Sequence, residues 1–318
     1  MREQRHTRQS RVAGCVLALL LCLMLAAPLN AAAETAHSLG QVPSLLKTPE
    51  SKQVFKEQME GKPAPDKLGI HLPTGLTAQE ITSLLLPADG KTPAPPLNTV
   101  GAKPLPGEAN LYVAIVCTGG DIPTSAGDMH CNQFPGSDAK APLKVRLGLI
   151  EAKPGEAPKL AAKPVSVDGS VDWSSTGLSS APDALDQTGS KIHPQQYDGF
   201  DLAPYRISAS QRAFGLRGEW FDGYSGGMGS YSALYLFAAV DGALKMVLAV
   251  PMSSYKDIAG DWHKDGTRDH DITQAAHVLI VSKHSTNGHF DLELRNRTGH
   301  WRRLYQWSAT AAAYRPAK

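Results

Sequence analysis

From Leu111 to Trp307 the chain repeats one pattern: short apolar runs separated by clusters of Gly, Pro, Asp, Ser and Asn. "LYVAIVC", "LKVRLGLIEA" and "VSVDGSVDW" come first, followed by "FDLAPYRIS", "RAFGLRGEWF", "YSALYLFAAV", "ALKMVLAV", "AHVLIVSK", "HFDLELRN" and "WRRLYQW". Runs of this length bounded by turn formers predict strands, and their number predicts an antiparallel sandwich or a barrel-like meander. In "HFDLELR", Phe290, Leu292 and Leu294 share one face while Asp291, Glu293 and Arg295 share the other, as a half-buried strand requires. Asp241-Gly242 between two apolar runs predicts a tight hairpin over residues 231–250. No internal repeat of solenoid or propeller length is present.

The pattern is helical before it is extended. In "TPESKQVFKEQMEG", Thr48 is an N-cap, Pro49 takes the first helical position and Gly61 lies past the end. In "TAQEITSLLLP", Thr77 and Glu80 form a capping box before an apolar run stopped by Pro87. Leu45, Leu46, Val54, Phe55, Ile81 and leucines 84–86 are the expected packing residues of this small helical segment, residues 34–86. "PADGKTPAPPLNTVGAKPLPGEA", residues 87–109, is dense in Pro and Gly and reads as a linker or extended wrap ahead of a β domain at 110–318.

Residues 1–33 have the layout of a secretory signal: Arg2, Arg5, Arg8 and Arg11, an apolar stretch from Val12 to Ala27, and a small-residue end with cleavage expected after Ala33. "VAGC" resembles a lipoprotein box but precedes the apolar stretch instead of following it, so Cys15 is not expected to carry lipid. Cleavage removes four arginines and Glu3, a net +3, and the formal charge falls from +2 to −1. A near-neutral remainder without a second long apolar segment argues against nucleic acid as partner and against a membrane span. The arginines at 295, 297, 302 and 303 read as a solvated face. The expected setting is exported, periplasmic or secreted. There the remaining pair, Cys117 and Cys131, is most simply a disulfide that staples a turn-rich loop.

Candidate chemistry concentrates in "AGDWHKDGTRDHD", residues 259–271. Asp261-x-His263-x-Asp265-Gly266-x-x-Asp269 resembles the calcium loops of FG-GAP and VCBS repeat proteins, with oxygen donors at positions one, three, five and nine and a glycine at six. The resemblance covers about a dozen residues and implies a Ca²⁺ site built from Asp261, Asp265 and Asp269, with Thr267 lending a carbonyl. It departs from that pattern at His263, an imidazole where an oxygen is expected, and Ile272 excludes an EF-hand glutamate. A charged turn pinned by Asp265-Gly266 is the competing reading. His263, His270, His277 and His284 recur at intervals of seven, but on a strand an odd interval turns neighbours to opposite faces. Zinc on His263, His270 and nearby aspartates is chemically open, yet no HxxxH pairing fixes it.

"GYSGG" matches G-x-S-x-G and offers Ser225 as a nucleophile, although that motif needs a strand-to-helix elbow and strands flank it here. S-x-x-K recurs at Ser44, Ser137 and Ser253 without partner motifs, and no phosphate-cradling loop is present. Trp220, Tyr224 and Tyr231 flank the glycines, and with Ser225 they make the expected contact surface for an envelope protein or glycan, if they are exposed. Filling the sheet interface is the alternative use for such rings. No constellation supplies nucleophile, base and orienting group together. The expectation is an exported, non-enzymatic binding or accessory module, with a hydrolase using Ser225 or a metal held by the 261–271 loop as the competing class.

Overall fold

The computed structural model describes residues 36, 38–60, 65–86, 96–121, 131–134, 136, 137, 139, 141–167, 169–183 and 193–317. The expected signal segment and residues 87–95 lie outside them. The chain divides into two compact units, Met1–Ala64 and Pro65–Lys318. The first holds helices Val42–Leu45 and Pro49–Glu60. Thr48 caps the second of these, its hydroxyl accepting the Ser51 amide at 3.1 Å. Val54, expected to pack, is exposed.

The second unit is mainly β, a large sheet nearly closed into a barrel. Its strands are β1 (Leu97–Pro104), β2 (Leu111–Thr118), β3 (Cys131–Asn132), β4 (Lys144–Glu151), β5 (Lys159–Ser166), β6 (Gln196–Arg206) and β7 (Arg212–Tyr224). They continue as β8 (Gly227–Val240), β9 (Ala243–Trp262), β10 (Arg268–Thr286), β11 (His289–Asn296), β12 (Arg302–Ser308) and β13 (Ala313–Pro316). The pairings are antiparallel apart from a parallel bridge, Lys163 to Ala243, that joins the run β1-β2-β4-β5 to β9. β9 also pairs with β8, which leads through β7 and β6 to β3, and with β10, which leads through β11 and β12 to β13.

Two apolar cores lie on opposite faces of β8 and explain its sequence. Tyr231, Ala233, Tyr235 and Phe237 face the strands of the first run, among them Val113, Ile115, Cys117 and Leu147. Leu234, Leu236 and Ala238 face Leu292, Leu294, Tyr305 and Trp307 on β11 and β12. An unbroken apolar run is therefore the signature of a strand buried on both sides. β2 behaves likewise, because Ala114 and Val116 point away from the first core to a third cluster with Ile81 and Leu85. Those two belong to the Ala78–Leu85 helix, whose N-terminus carries the Thr77–Glu80 capping box. Turn geometry follows the sequence at Asp241-Gly242, where both residues take positive φ, 52° and 74°, as a two-residue hairpin turn of the primed type demands. Cys117 and Cys131 form a disulfide with Cα atoms 5.7 Å apart, buried in the first core and tying β2 to β3.

The sheet begins before the expected boundary at residue 110. Leu97–Pro104, inside the stretch that reads as a linker, pairs along β2 with Val100 and Ala102 buried. The helix of 78–85 packs on the same sheet. "LNTVGAKP" hides its strand because Gly101 stands where side chains would normally mark it. A Cβ there would lie 2.2 Å from the Leu68 carbonyl oxygen, so only glycine admits the neighbouring segment.

Candidate functional site

β8 accompanies β9 only to Met228, which faces Asp257. Beyond that point β9 and β10 run on as a two-stranded arm, with Ile258 facing Asp271, Ala259 facing His270 and Trp262 facing Arg268. A ribbon of two strands has no core to fill, so its residues are solvated on both faces. The charged stretch 259–271 is thus strand, turn and strand. The turn itself is short: the His263 amide donates to the Thr267 carbonyl at 2.8 Å and the Gly266 amide to the His263 carbonyl at 3.1 Å. Gly266 sits at φ +83°, in the left-handed region.

The candidate metal ligands are engaged in this turn. One oxygen of Asp265 accepts from the Thr267 amide at 3.0 Å and from its hydroxyl at 2.7 Å. These bonds, the hydroxyl first, hold the Asp265 carboxyl below the usual carboxylate range. Asp269 lies 2.8 Å from His263 Nε2, and His270 Nδ1 lies 2.7 Å from Asp257. Asp261, the first expected ligand, is exposed at the end of β9. Among the described residues no three His, Cys, Asp or Glu side chains converge on a point that would hold a metal ion.

What the arm presents instead is apolar surface. Trp262 is 69% exposed at its end, with the Arg268 guanidinium 5.2 Å from the ring centre. Ile272 and Met228 flank Asp257 in one cross-strand row and are 53% and 47% exposed. Ile258 is exposed on the other face. None of these stood out in the sequence; the available signal was Ile272, a lone β-branched aliphatic in "TRDHDITQ".

The aromatic surface expected around the glycines is corrected by the structure. Trp220 and Tyr231 are 1% and 2% exposed. They sit opposite each other on β7 and β8 and point into the first core. Trp173 stands edge-on to both, at centroid distances of 5.3 Å and 5.9 Å. Tyr224 is half-buried under the Lys256 ammonium, 4.7 Å from the ring. Burial first, then Asp183 and Asp222, push its hydroxyl up to about 12. The reason is register: β7 continues to Tyr224, β8 restarts at Gly227, and the even positions of β7 face inward. Only Ser225 and Gly226 form the turn. Ser225 is exposed, and a strand follows it, so the strand-to-helix elbow that activates a G-x-S-x-G serine is missing.

The seven-residue histidine interval brings no ring to a shared site. His277 is buried, its Nδ1 2.9 Å from the Pro251 carbonyl and its ring stacked on Trp301. His284 points outward, held at Nδ1 by buried Asp291 at 2.6 Å. Arg303 reaches the Ser175 carbonyl and lies over Trp301, while Arg295 remains solvated. Among the described residues no helix is long and apolar enough to cross a membrane. In comparisons with known proteins, no family model, no curated protein and no solved structure matches this chain.

Proposed function

We propose that the chain is an exported cell-envelope protein that works as a non-enzymatic binding or accessory module, and that it engages its partner through the β9–β10 arm. The observation that carries this reading is the exposure of Trp262 and Ile272 on the β9–β10 hairpin and of Met228 beside it, where β8 leaves β9, each about half exposed or more. Large apolar side chains left in water favour burial against a partner, and tryptophan is the residue most enriched at the energetic centres of interfaces. Aliphatic side chains beside the indole favour a protein over a glycan, because sugar rings stack on flat aromatic faces and gain little from Ile or Met. Export rests on the N-terminal sequence, with its arginines, apolar stretch and small-residue end.

The test is site-specific photocrosslinking in envelope fractions, with the reactive side chain at position 262 and, as control, at position 304 on β12. The expected result is a discrete adduct from 262 that unlabelled protein competes away, and none from 304. The same products from both positions, or none from 262, would remove the arm as the contact surface. Trp262→Ala should leave stability within about 0.5 kcal/mol of wild type, as for an exposed position outside any core.

A further inference from the structure

Hairpin turns alternate between the two ends of an antiparallel sheet. The β7–β8 and β9–β10 turns lie at the arm's end, and the β1–β2, β6–β7 and β10–β11 turns converge at the other. Between the latter three is a cavity of about 550 Å³. It has two unlike walls. One is hydrocarbon: Leu105 and Leu111 beside the β1–β2 turn, and Leu149 on β4. The other is polar: Gln211 and Arg212 at the start of β7, and His289 at the start of β11.

The polar groups are held in place before any ligand arrives. Arg212 donates from Nη1 to the Pro106 carbonyl and from Nη2 to the Leu202 carbonyl, so its guanidinium is clamped between the β1–β2 turn and β6. Gln211 donates to the Ala239 carbonyl, which leaves its amide oxygen 3.2 Å from His289 Nε2. The His289 ring lies flat on Trp307, with centroids 3.8 Å apart and planes 12° apart. Side chains fixed by their own partners lose little freedom on binding, which is the property of a formed site.

The charge is not matched. Among the described residues Arg212 forms no ion pair, although Glu108 lines the same cavity, and its buried Nε–H has no acceptor. Nε is out of a ligand's reach, and the Nη hydrogens that the two carbonyls do not use are the donors left for one. Its neighbour across the cavity is leucine. The geometry points to a binding site for a small amphiphilic carboxylate, its carboxylate on Arg212 and its hydrocarbon chain against Leu105, Leu111 and Leu149. A planar carboxylate matches the guanidinium fork, and three leucines reward a chain that a free phosphate or sulfate lacks. Glu108 at the rim repels a second negative charge, which favours a monoanion. This site is separate from the arm and stands or falls independently of it.

The probe is hexanoate, followed by ¹H–¹⁵N spectra of the labelled protein, with hexylamine and inorganic phosphate as comparisons. Saturable shifts are expected at the Arg212 and Gln211 side-chain signals and at the Gly288 amide, with a dissociation constant on the order of 1 mM or tighter. Hexylamine and phosphate should leave these signals in place. Arg212→Gln should weaken hexanoate at least about tenfold. Because Arg212 also clamps two backbone carbonyls, Ser210→Glu is the second variant: it adds a negative charge at an exposed turn residue on the cavity edge and should weaken binding by a similar factor with the fold intact. Absence of saturable shifts at concentrations on the order of 10 mM, equal response to hexylamine, or unchanged binding in a folded Ser210→Glu protein would each overturn the assignment.

Discussion

Trp220→Ala distinguishes a core aromatic from a binding aromatic by magnitude. The indole is 1% exposed between Trp173 and Tyr231 in the first core. Truncating a buried tryptophan removes its transfer free energy and leaves a cavity, together about 3–5 kcal/mol. The edge-on contact with Trp173, at 5.3 Å and 90°, contributes about 0.5–1.5 kcal/mol of that total, and this share appears as coupling in a cycle with Trp173→Ala. The indole N–H has no acceptor, so no hydrogen bond is lost. Trp220→Phe, which removes that unpaired donor and keeps a ring in place, should therefore cost much less than the alanine change. Equilibrium urea unfolding is the assay, with the slope checked to stay constant so that the midpoint reports stability. Against a total stability of about 5–15 kcal/mol for a domain, the expected loss is large. A loss below about 1 kcal/mol would refute the packing argument and return Trp220 to the surface.

Two further outcomes follow from the site geometry. Burial raises the hydroxyls of Tyr205, Tyr231, Tyr314 and Tyr224 above their ordinary value of 10.0, Tyr224 to about 12. Above that ordinary value the unfolded phenols release protons that the folded ones keep, so the unfolded state binds fewer protons and stability falls as pH rises. The contribution is complete below pH 10 and is lost towards pH 12 and beyond; a melting midpoint flat across this window would contradict it. Calcium added after chelation should leave the midpoint unchanged, because Asp265 and Asp269 are already engaged by Thr267 and His263. A calcium-specific rise abolished by Asp265→Ala would show that the turn rearranges around an ion.

The elements most legible in the sequence were those whose signal is local. The Thr77–Glu80 capping box and the Asp241-Gly242 turn depend on a few adjacent residues, and both are present as read. The pairing of Cys117 with Cys131 needed only the count of cysteines left after the expected cleavage. What failed depended on tertiary context. "LNTVGAKP" looks like a breaker-rich linker because Gly101 serves the neighbouring Leu68 backbone and not its own strand. The arm reads as a loop because polar residues on both faces give no alternation, and alternation is produced by a core that a two-stranded ribbon lacks. The glycines between Trp220 and Tyr231 suggest a wide turn and so put both rings beside a loop. The strands in fact run to within one residue of Ser225 and Gly226, and that fixes which way each ring points.

β9 is the seam of the molecule. It pairs with β8 and β10 along its length and touches β5 through Lys163 and Ala243. Its Leu244 lies in the first core, while Val247, Leu248 and Val250 lie in the second. Because β9 contributes to both cores, the two should melt in one cooperative step. Its pairing with β5 spans about 80 residues of chain, a closure that costs entropy before any contact repays it. A chain interrupted before β9 would leave the second core without Val247, Leu248 and Val250, exposing the outer apolar face of β8, and should therefore aggregate more readily than the whole chain.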